Sequence, residues 1–316
     1  MSMDSVSSDE VKAKARDFGA DLVGIASAES LEDEPHPPSR VVKGVKSVVV
    51  MARRFMYGGV RLRDGTARTH HYATELGLTE LEDAALRMTF YLEDAGYPSL
   101  MVPASGSRSK QEDMAGHGPL SLTHAAVEAG LGTLGLNGML LTREYGPRVI
   151  LCAVLSHAEL DPDQRMTKAL CLGEECGRCL LVCPGNAVRH WELDVEACRP
   201  YSAPYDYPFF QEHVAKISTE QDPAKKWEIA TSTDSLMIWQ SMLRGVGIVT
   251  GCTRCQDVCP VGEDYEKYLA DALDEMPEET EEKRAALAEM QERANSGDRG
   301  EAFERERRWI GKLNTE

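Results

Sequence analysis

The sequence predicts an α/β (α+β) chain in three parts: a core over residues 1–165, a cysteine-rich domain over 166–265 and a charged helical tail over 266–316. Three observations carry this. Short apolar runs alternate with helical periodicity up to about residue 160, the pattern of a layered α/β fold. Eight of the nine cysteines then fall between Cys171 and Cys259. From Glu263 to Glu316, 17 acidic residues stand against nine basic ones, the composition of a solvated helical face.

Each element follows in order. Val11–Phe18 has helical character, with Gly19 as its C-cap. Asp21–Ser27 and Val48–Ala52 read as short buried strands. Leu78, Leu81, Ala85, Met88 and Leu92 recur at steps of three and four, which predicts a helix over Leu78–Ala95 ended by Gly96. Leu100–Pro103 is extended, and the polar, glycine-bearing stretch Ser105–Pro119 reads as a surface loop. Leu122–Ala129 is a helix stopped at Gly130. Gly138–Thr142 and Arg148–Leu155 read as a hairpin joined through Glu144–Pro147. Pro162 marks the boundary to the cysteine domain, and Pro277 and Asn295–Asp298 interrupt the tail.

A chain of 316 residues with 42% hydrophobic content has a real core. No stretch approaches the roughly 18 apolar residues of a membrane helix. The first residues lack the basic and apolar regions of an export signal, and no apolar run follows Arg53-Arg54. The expectation is a cytoplasmic protein with reduced thiols and no membrane partner. A net charge of −17 argues against a nucleic-acid partner. It would also repel an acidic electron carrier except at a local basic patch.

The cysteines read Cys171-x4-Cys176-x2-Cys179-x3-Cys183-Pro184, then a lone Cys198, then Cys252-x2-Cys255-x3-Cys259-Pro260. Two C-x2-C-x3-C-P runs match the spacing by which bacterial ferredoxins hold two [4Fe–4S] clusters, the cysteine before proline reaching across to the other cluster. That rule assigns Cys171, Cys176, Cys179 and Cys259 to one cluster. It assigns Cys252, Cys255, Cys183 and Cys198 to the second and leaves Cys152 over. The first gap is wider than the ferredoxin one. The second run lacks its leading cysteine, a vacancy that Cys198 fills. Zinc also takes C-x2-C pairs, but a four-cysteine zinc site does not need the doubled Cys-Pro ending.

Gly130-x-Gly132-x-x-Gly135 matches the dinucleotide fingerprint as a string. It follows a helix and precedes a strand, however, the reverse of the Rossmann order. Its glycines suit either a tight connection at positive φ or close approach to a large flat ligand. With the paired cysteine runs behind it, the segment Ala129-Gly-Leu-Gly-Thr-Leu-Gly-Leu-Asn-Gly-Met-Leu-Leu-Thr-Arg-Glu-Tyr-Gly-Pro-Arg-Val149 resembles the corrinoid-dependent reductive dehalogenases and the related epoxyqueuosine reductases. Asp21-Leu-Val-Gly-Ile25 and Val42-Lys-Gly-Val-Lys-Ser47 extend the resemblance over roughly residues 10–265.

The resemblance implies a nitroreductase-like, cobalamin-binding core followed by a ferredoxin-like double-cluster domain. Cobalamin would be held base-off beside Gly130, Gly132, Gly135, Leu136, Asn137 and Gly138. Electrons would pass from reduced ferredoxin or flavodoxin through the clusters to cobalt, for reductive cleavage of a small organic substrate. In keeping with base-off binding, there is no Asp-x-His-x-x-Gly string, and the histidines show no metal-pair spacing.

The resemblance also implies an acid over the corrin. In the dehalogenases this is a tyrosine with its pKa lowered by a cation, at the position that is Leu136 here. Tyr72, in Thr69-His-His-Tyr72, is the first candidate. His71 is the second, because an imidazole titrates nearest neutral pH. Leucine neither stabilises a tyrosinate nor binds a halide, so Arg108, Lys110 and Arg143 are the candidate substitutes. The aromatic run Tyr205–Phe210, with Trp191, would either wall a substrate pocket or build the small core of the cluster domain. Three functions are thus in view: a corrinoid and iron–sulfur reductase, a cobalamin-binding or corrinoid-reducing electron-transfer protein with no small-molecule substrate of its own, or a plain ferredoxin-like carrier with an unrelated α/β domain.

Overall fold

The computed structural model describes residues 6–61, 67–103, 119–202, 204–243, 252–272 and 276–313, with the side chains of 67–72, 243 and 272 outside that description. The expected loop Ser105–Pro119 lies almost wholly outside it too. The strands of the first half are β1 (Leu22–Ser27), β2 (Ser47–Arg54), β3 (Ser99–Val102), β4 (Gly132–Leu134), β5 (Leu140–Thr142) and β6 (Val149–Ser156). Four of them form one antiparallel sheet in the order β1-β2-β6-β3.

The central pair runs from Ser47 opposite Ser156 to Arg54 opposite Val149. Val48, Val49, Val50, Met51 and Ala52 are all fully buried, because helices cover both faces. Val49, Met51, Cys152 and Val154 face Val11 and Ala15 of the helix Ser8–Asp17 and Leu78, Leu81 and Met88 of the helix Ala67–Asp94. Val48, Val50, Ala153 and Leu155 face Ala125 and Ala126 of the helix Leu122–Glu128. Alternate residues serve opposite layers, so the run reads as continuously apolar rather than alternating.

Two expectations change. The long helix starts at Ala67 rather than near Leu78. Its Thr74 and Glu75 are buried polar residues, which hide the inner face from a reading by hydropathy. The predicted hairpin does not form between Gly138–Thr142 and Arg148–Leu155. Instead β5 pairs with β4, and β6 enters the main sheet between β2 and β3. The real hairpin turn is Gly135–Gly138, with Gly138 at φ +71 and its N–H on the Gly135 carbonyl at 2.9 Å. A second tight loop, closed by Thr142 and Gly146, redirects the chain. β6 has the length of β2 and apolar residues for both faces, so it belongs at the centre of the sheet.

Beyond β6 the chain has only short elements around its thiols: turns at Gly173–Glu175 and Arg178–Leu181, a small hairpin of Val188–Arg189 with Glu192–Leu193, and a helical excursion from Val195 to Leu243. The helix Glu281–Asn295 packs on both turns, and the helix Gly300–Ile310 packs on β4 and on the helix Leu122–Glu128. The charged tail therefore has an apolar side. Phe303, Ile310 and Leu313 are buried with Leu134, Leu136, Ala169 and Trp191. His124 fastens the last helix to the core. Its Nδ1 lies 2.7 Å from Glu34 Oε2, its Nε2 lies 2.9 Å from Glu306 Oε2, and its ring stacks on Trp309 at 4.1 Å. Burial disfavours the imidazolium, but the hydrogen bonds to Glu306 and Glu34 outweigh it and raise its pKa to about 9. Among the described residues no helix is long and apolar enough to cross a membrane.

Candidate functional site

Cys171, Cys176, Cys179 and Cys259 line one hollow, a cavity of about 30 Å³ walled also by Gly135, Leu136, Leu141 and Val261. Gly177, at φ +54, makes the bend between Cys176 and Cys179, and a side chain there would collide with Leu287. The second set gathers nearby. Cys183, Cys198 and Cys255 pack with Leu181, Ala187, Val188 and Leu193, and Cys179 packs on the same group. Cys179 and Cys255, one from each quartet, are themselves neighbours. Cysteines of both runs thus lie close together in the fold. Among the described residues no three His, Cys, Asp or Glu side chains converge on a point able to hold a single metal ion.

Burial pushes the thiols of Cys171, Cys179 and Cys255 up, and it raises Cys252 to about 11 and Cys259 to about 12. Mutual repulsion between neighbouring sulfurs adds to each. Opposing this, backbone N–H groups point at sulfur. Leu136 and Gly173 donate to Cys171 Sγ at 3.5 and 3.4 Å, and Ala187 donates to Cys183 Sγ at 3.2 Å. Four thiolates in one desolvated place call for a positive core between them, so this donor set suits an iron–sulfur cluster. Cys152, the ninth cysteine, sits fully buried in the sheet, and its pKa is raised by burial. It is a core residue.

Arg148 joins the sheet to the second cysteine run. Only 1% exposed, it is anchored by its carbonyl, which accepts from Phe55 N–H at 2.9 Å. Its Nε donates to Asp264 Oδ2 at 3.0 Å and its Nη2 to Asp264 Oδ1 at 2.6 Å. Its Nη1 donates to the carbonyls of Cys259 at 2.8 Å and Gln256 at 3.2 Å, and its Nη2 to that of Val261 at 2.7 Å. Around it the two loops close backbone to backbone. Glu263 and Asp264 donate their N–H groups to the Arg143 and Glu144 carbonyls, and a side chain on Gly146 would strike the Val261 carbonyl.

The six glycine-segment positions face protein. Gly130 takes φ +72 with its N–H on Val127, and Gly132 pairs with Thr142 against Leu141. Gly135 donates to the Met139 carbonyl. The Leu136 side chain is 2% exposed, packed in the cluster that holds Phe303 and Ile310. Asn137 Nδ2 donates to the Cys255 carbonyl at 3.4 Å, and Gly138 closes the turn. This segment is therefore a wall of the thiol site. Tyr72 and His71 fall within the helix Ala67–Asp94, but their side chains lie outside the described residues, as do Arg108 and Lys110. Arg143 is exposed.

The aromatic grouping divides. Trp191 meets Phe303 edge-on at 5.3 Å and donates from Nε1 to Glu174 at 2.6 Å. Tyr205 and Phe209 pack on each other at 5.2 Å, while Tyr207 is 65% exposed. Trp191 and the Tyr205–Phe210 run are thus separate features. Sequence reasoning missed Arg148 and Asp264. The only signal was an arginine opening an apolar strand and an acid just past the second cysteine run, neither of which names the other.

No family model matches the chain. Over 217 residues it is 27% identical to an epoxyqueuosine reductase of Gloeobacter violaceus, covering 61% of this chain and 64% of that one. Over 87 residues it is 36% identical to a tetrachloroethene reductive dehalogenase of Desulfitobacterium hafniense, covering 25% and 15%. The chain spans less than two thirds of the length of these curated relatives. Among solved structures, it superposes on a reductive dehalogenase interpreted in terms of B12-dependent dehalogenation, with a TM-score of 0.53 and 19% identity over 92% of this chain and 36% of that one. At that identity the shared property is the fold.

Proposed function

We propose that this chain, a relative of the epoxyqueuosine reductases and the reductive dehalogenases, is an iron–sulfur oxidoreductase serving the reductive cleavage of a small organic substrate. The observation that supports it most directly is the gathering of thiols from both cysteine runs, with Cys171, Cys176, Cys179 and Cys259 around one hollow and Cys183, Cys198 and Cys255 packed beside Cys179. Cys171, Cys176, Cys179 and Cys259 would hold one [4Fe–4S] cluster. Cys183, Cys198, Cys252 and Cys255 would hold the other. When bound, such clusters supply low-potential electrons one at a time. The chain contributes desolvation and N–H groups aimed at sulfur. Reduced ferredoxin or flavodoxin is the proposed donor, and the net charge of −17 disfavours a nucleic-acid substrate.

The corrinoid implied by the resemblance, held base-off, would supply a cobalt centre for bond cleavage. Among the six glycine-segment positions proposed to hold it, the Leu136 N–H and Asn137 Nδ2 are turned to Cys171 Sγ and the Cys255 carbonyl. Tyr72, with His71 as second candidate, is the proposed proton donor to the reduced substrate. Leu136 favours a second reading. An apolar side chain, buried where the dehalogenases place a cation, suits a corrinoid-binding or corrinoid-reducing electron-transfer protein with no substrate of its own.

Anaerobic reconstitution tests the proposal. The expected result is about eight irons and eight sulfides per chain, with two cluster signals on reduction. A single tightly bound zinc would overturn it. Hydroxocobalamin retained in the base-off form after desalting would support the corrinoid, and its complete loss would remove the corrinoid from both readings.

A further inference from the structure

We infer that Arg148 is a positioning residue for the cluster proposed at Cys171, Cys176, Cys179 and Cys259: it fixes Cys259 from the sheet, and its buried charge makes that cluster easier to reduce. The inference rests on the iron–sulfur reading above and concerns a residue outside the thiol set.

The geometry is that of a charged staple. A guanidinium has five N–H donors. Those of Arg148 serve Asp264 through two bonds and the carbonyls of Gln256, Cys259 and Val261 through three. The three carbonyls bracket Cys259 on both sides, so the path of the loop that presents this sulfur is set from the first residue before β6. Arg178 also lies at Tyr265, with the guanidinium carbons of Arg148 and Arg178 at 5.8 and 5.7 Å from the ring centroid, and it bonds the Tyr265 hydroxyl at 2.9 Å. Lysine is a single point charge without the planar fork and cannot hold three carbonyls and a carboxylate together.

The charge has a sign that matters. On taking one electron from an external low-potential carrier, a cluster with its four thiolates becomes one unit more negative. A cation bonded to the Cys259 peptide stabilises that reduced form. Asp264 opposes it from the other side of the guanidinium, where it is bonded to Arg148 rather than to the Cys259 peptide. The two members of one buried ion pair should therefore move the potential in opposite directions. A purely structural tether would move it in neither, or the same way for both.

The test uses the full chain carrying both clusters, in the wild type, Arg148→Gln, Arg148→Lys and Asp264→Asn, with iron content and a reductive titration followed by electron paramagnetic resonance. At the solution potential that half-reduces the wild-type cluster, Asp264→Asn is expected to raise the reduced-to-oxidised ratio about tenfold, and Arg148→Gln to lower it by a similar factor. Arg148→Lys is expected to keep the ratio within about threefold of wild type but to lose iron faster on dilution. The signal of the other cluster should not move. Shifts of the same sign in the Gln and Asn variants, equal shifts in both clusters, or no shift would overturn the inference while leaving the iron–sulfur reading intact. If Arg148→Gln does not fold, the Asn and Lys variants decide by the same criteria. A wild type that takes up no clusters overturns both together.

Discussion

Between Val48 and Ala52 the central strand buries five apolar side chains completely. Between Cys171 and Cys183 the chain gathers four thiols and a buried carboxylate, Glu174, into turns of three or four residues. The first region satisfies its backbone through strand pairing and its side chains through two covering layers of helix. The second spends polar groups on sulfur and on charged neighbours. Glu174 accepts from His190 at 2.8 Å and from Trp191 at 2.6 Å. Arg254 is paired with Glu278 at 2.7 Å. The sheet packs its own side chains, whereas the thiol region crowds sulfurs whose repulsion the proposed clusters would offset.

The sharpest way to break that contrast is to remove the metal. Chelation under anaerobic, reducing conditions should speed amide exchange by at least about 100-fold over residues 171–183 and 252–261, since binding energy there is folding energy. Residues 47–54 and 149–156 should keep their protection. Equal loss in both regions would erase the distinction. Cys198→Ala goes next. It should cut iron from about eight to about four per chain, with the melting of the sheet little changed, and iron near eight would expel Cys198 from its quartet. Leu81→Ala attacks the other side. It should cost about 2–5 kcal/mol in denaturant unfolding and leave the iron count alone.

His124 tests the join between the two regions. Its pKa lies above the ordinary value of 6.5, at about 9, so the protonated form is bound more tightly in the folded chain. The stability it confers is complete below pH 6.5, declines between there and pH 9, and is gone above. His124→Gln should therefore cost about 3 kcal/mol at pH 6 and little at pH 10, read from denaturation midpoints across that range. Glu278→Gln is the smallest expected effect. Both partners of the Arg254 pair are about a quarter exposed, so the loss should stay below about 1 kcal/mol.

What the sequence disclosed follows the same division. β1, β2 and the long helix were legible because their side chains face one continuous apolar interior, and periodicity records that. The thiol sets were legible because Cys-Pro spacing is a local code for a nonlocal arrangement. Arg148 was not, because three of its partners are backbone carbonyls more than a hundred residues away, and a carbonyl leaves no mark in a sequence. The hairpin expectation failed for a related reason. Leu140–Thr142 and Val149–Ser156 are both apolar, and only the glycines at 135 and 138 show which turn is real. The apolar side of the tail was masked by composition, with Phe303 and Ile310 lying among charges that face outward.

That last helix also sets an order of manufacture. Phe303, Ile310 and Leu313 complete the wall behind Leu134, Leu136 and Trp191 and touch Cys171. On the ribosome, the thiols emerge well before that wall exists. A chain stalled or clipped ahead of Gly300 would leave Leu134, Leu136 and Trp191 uncovered beside Cys171, an apolar flank open to the proteases that act on unfinished chains.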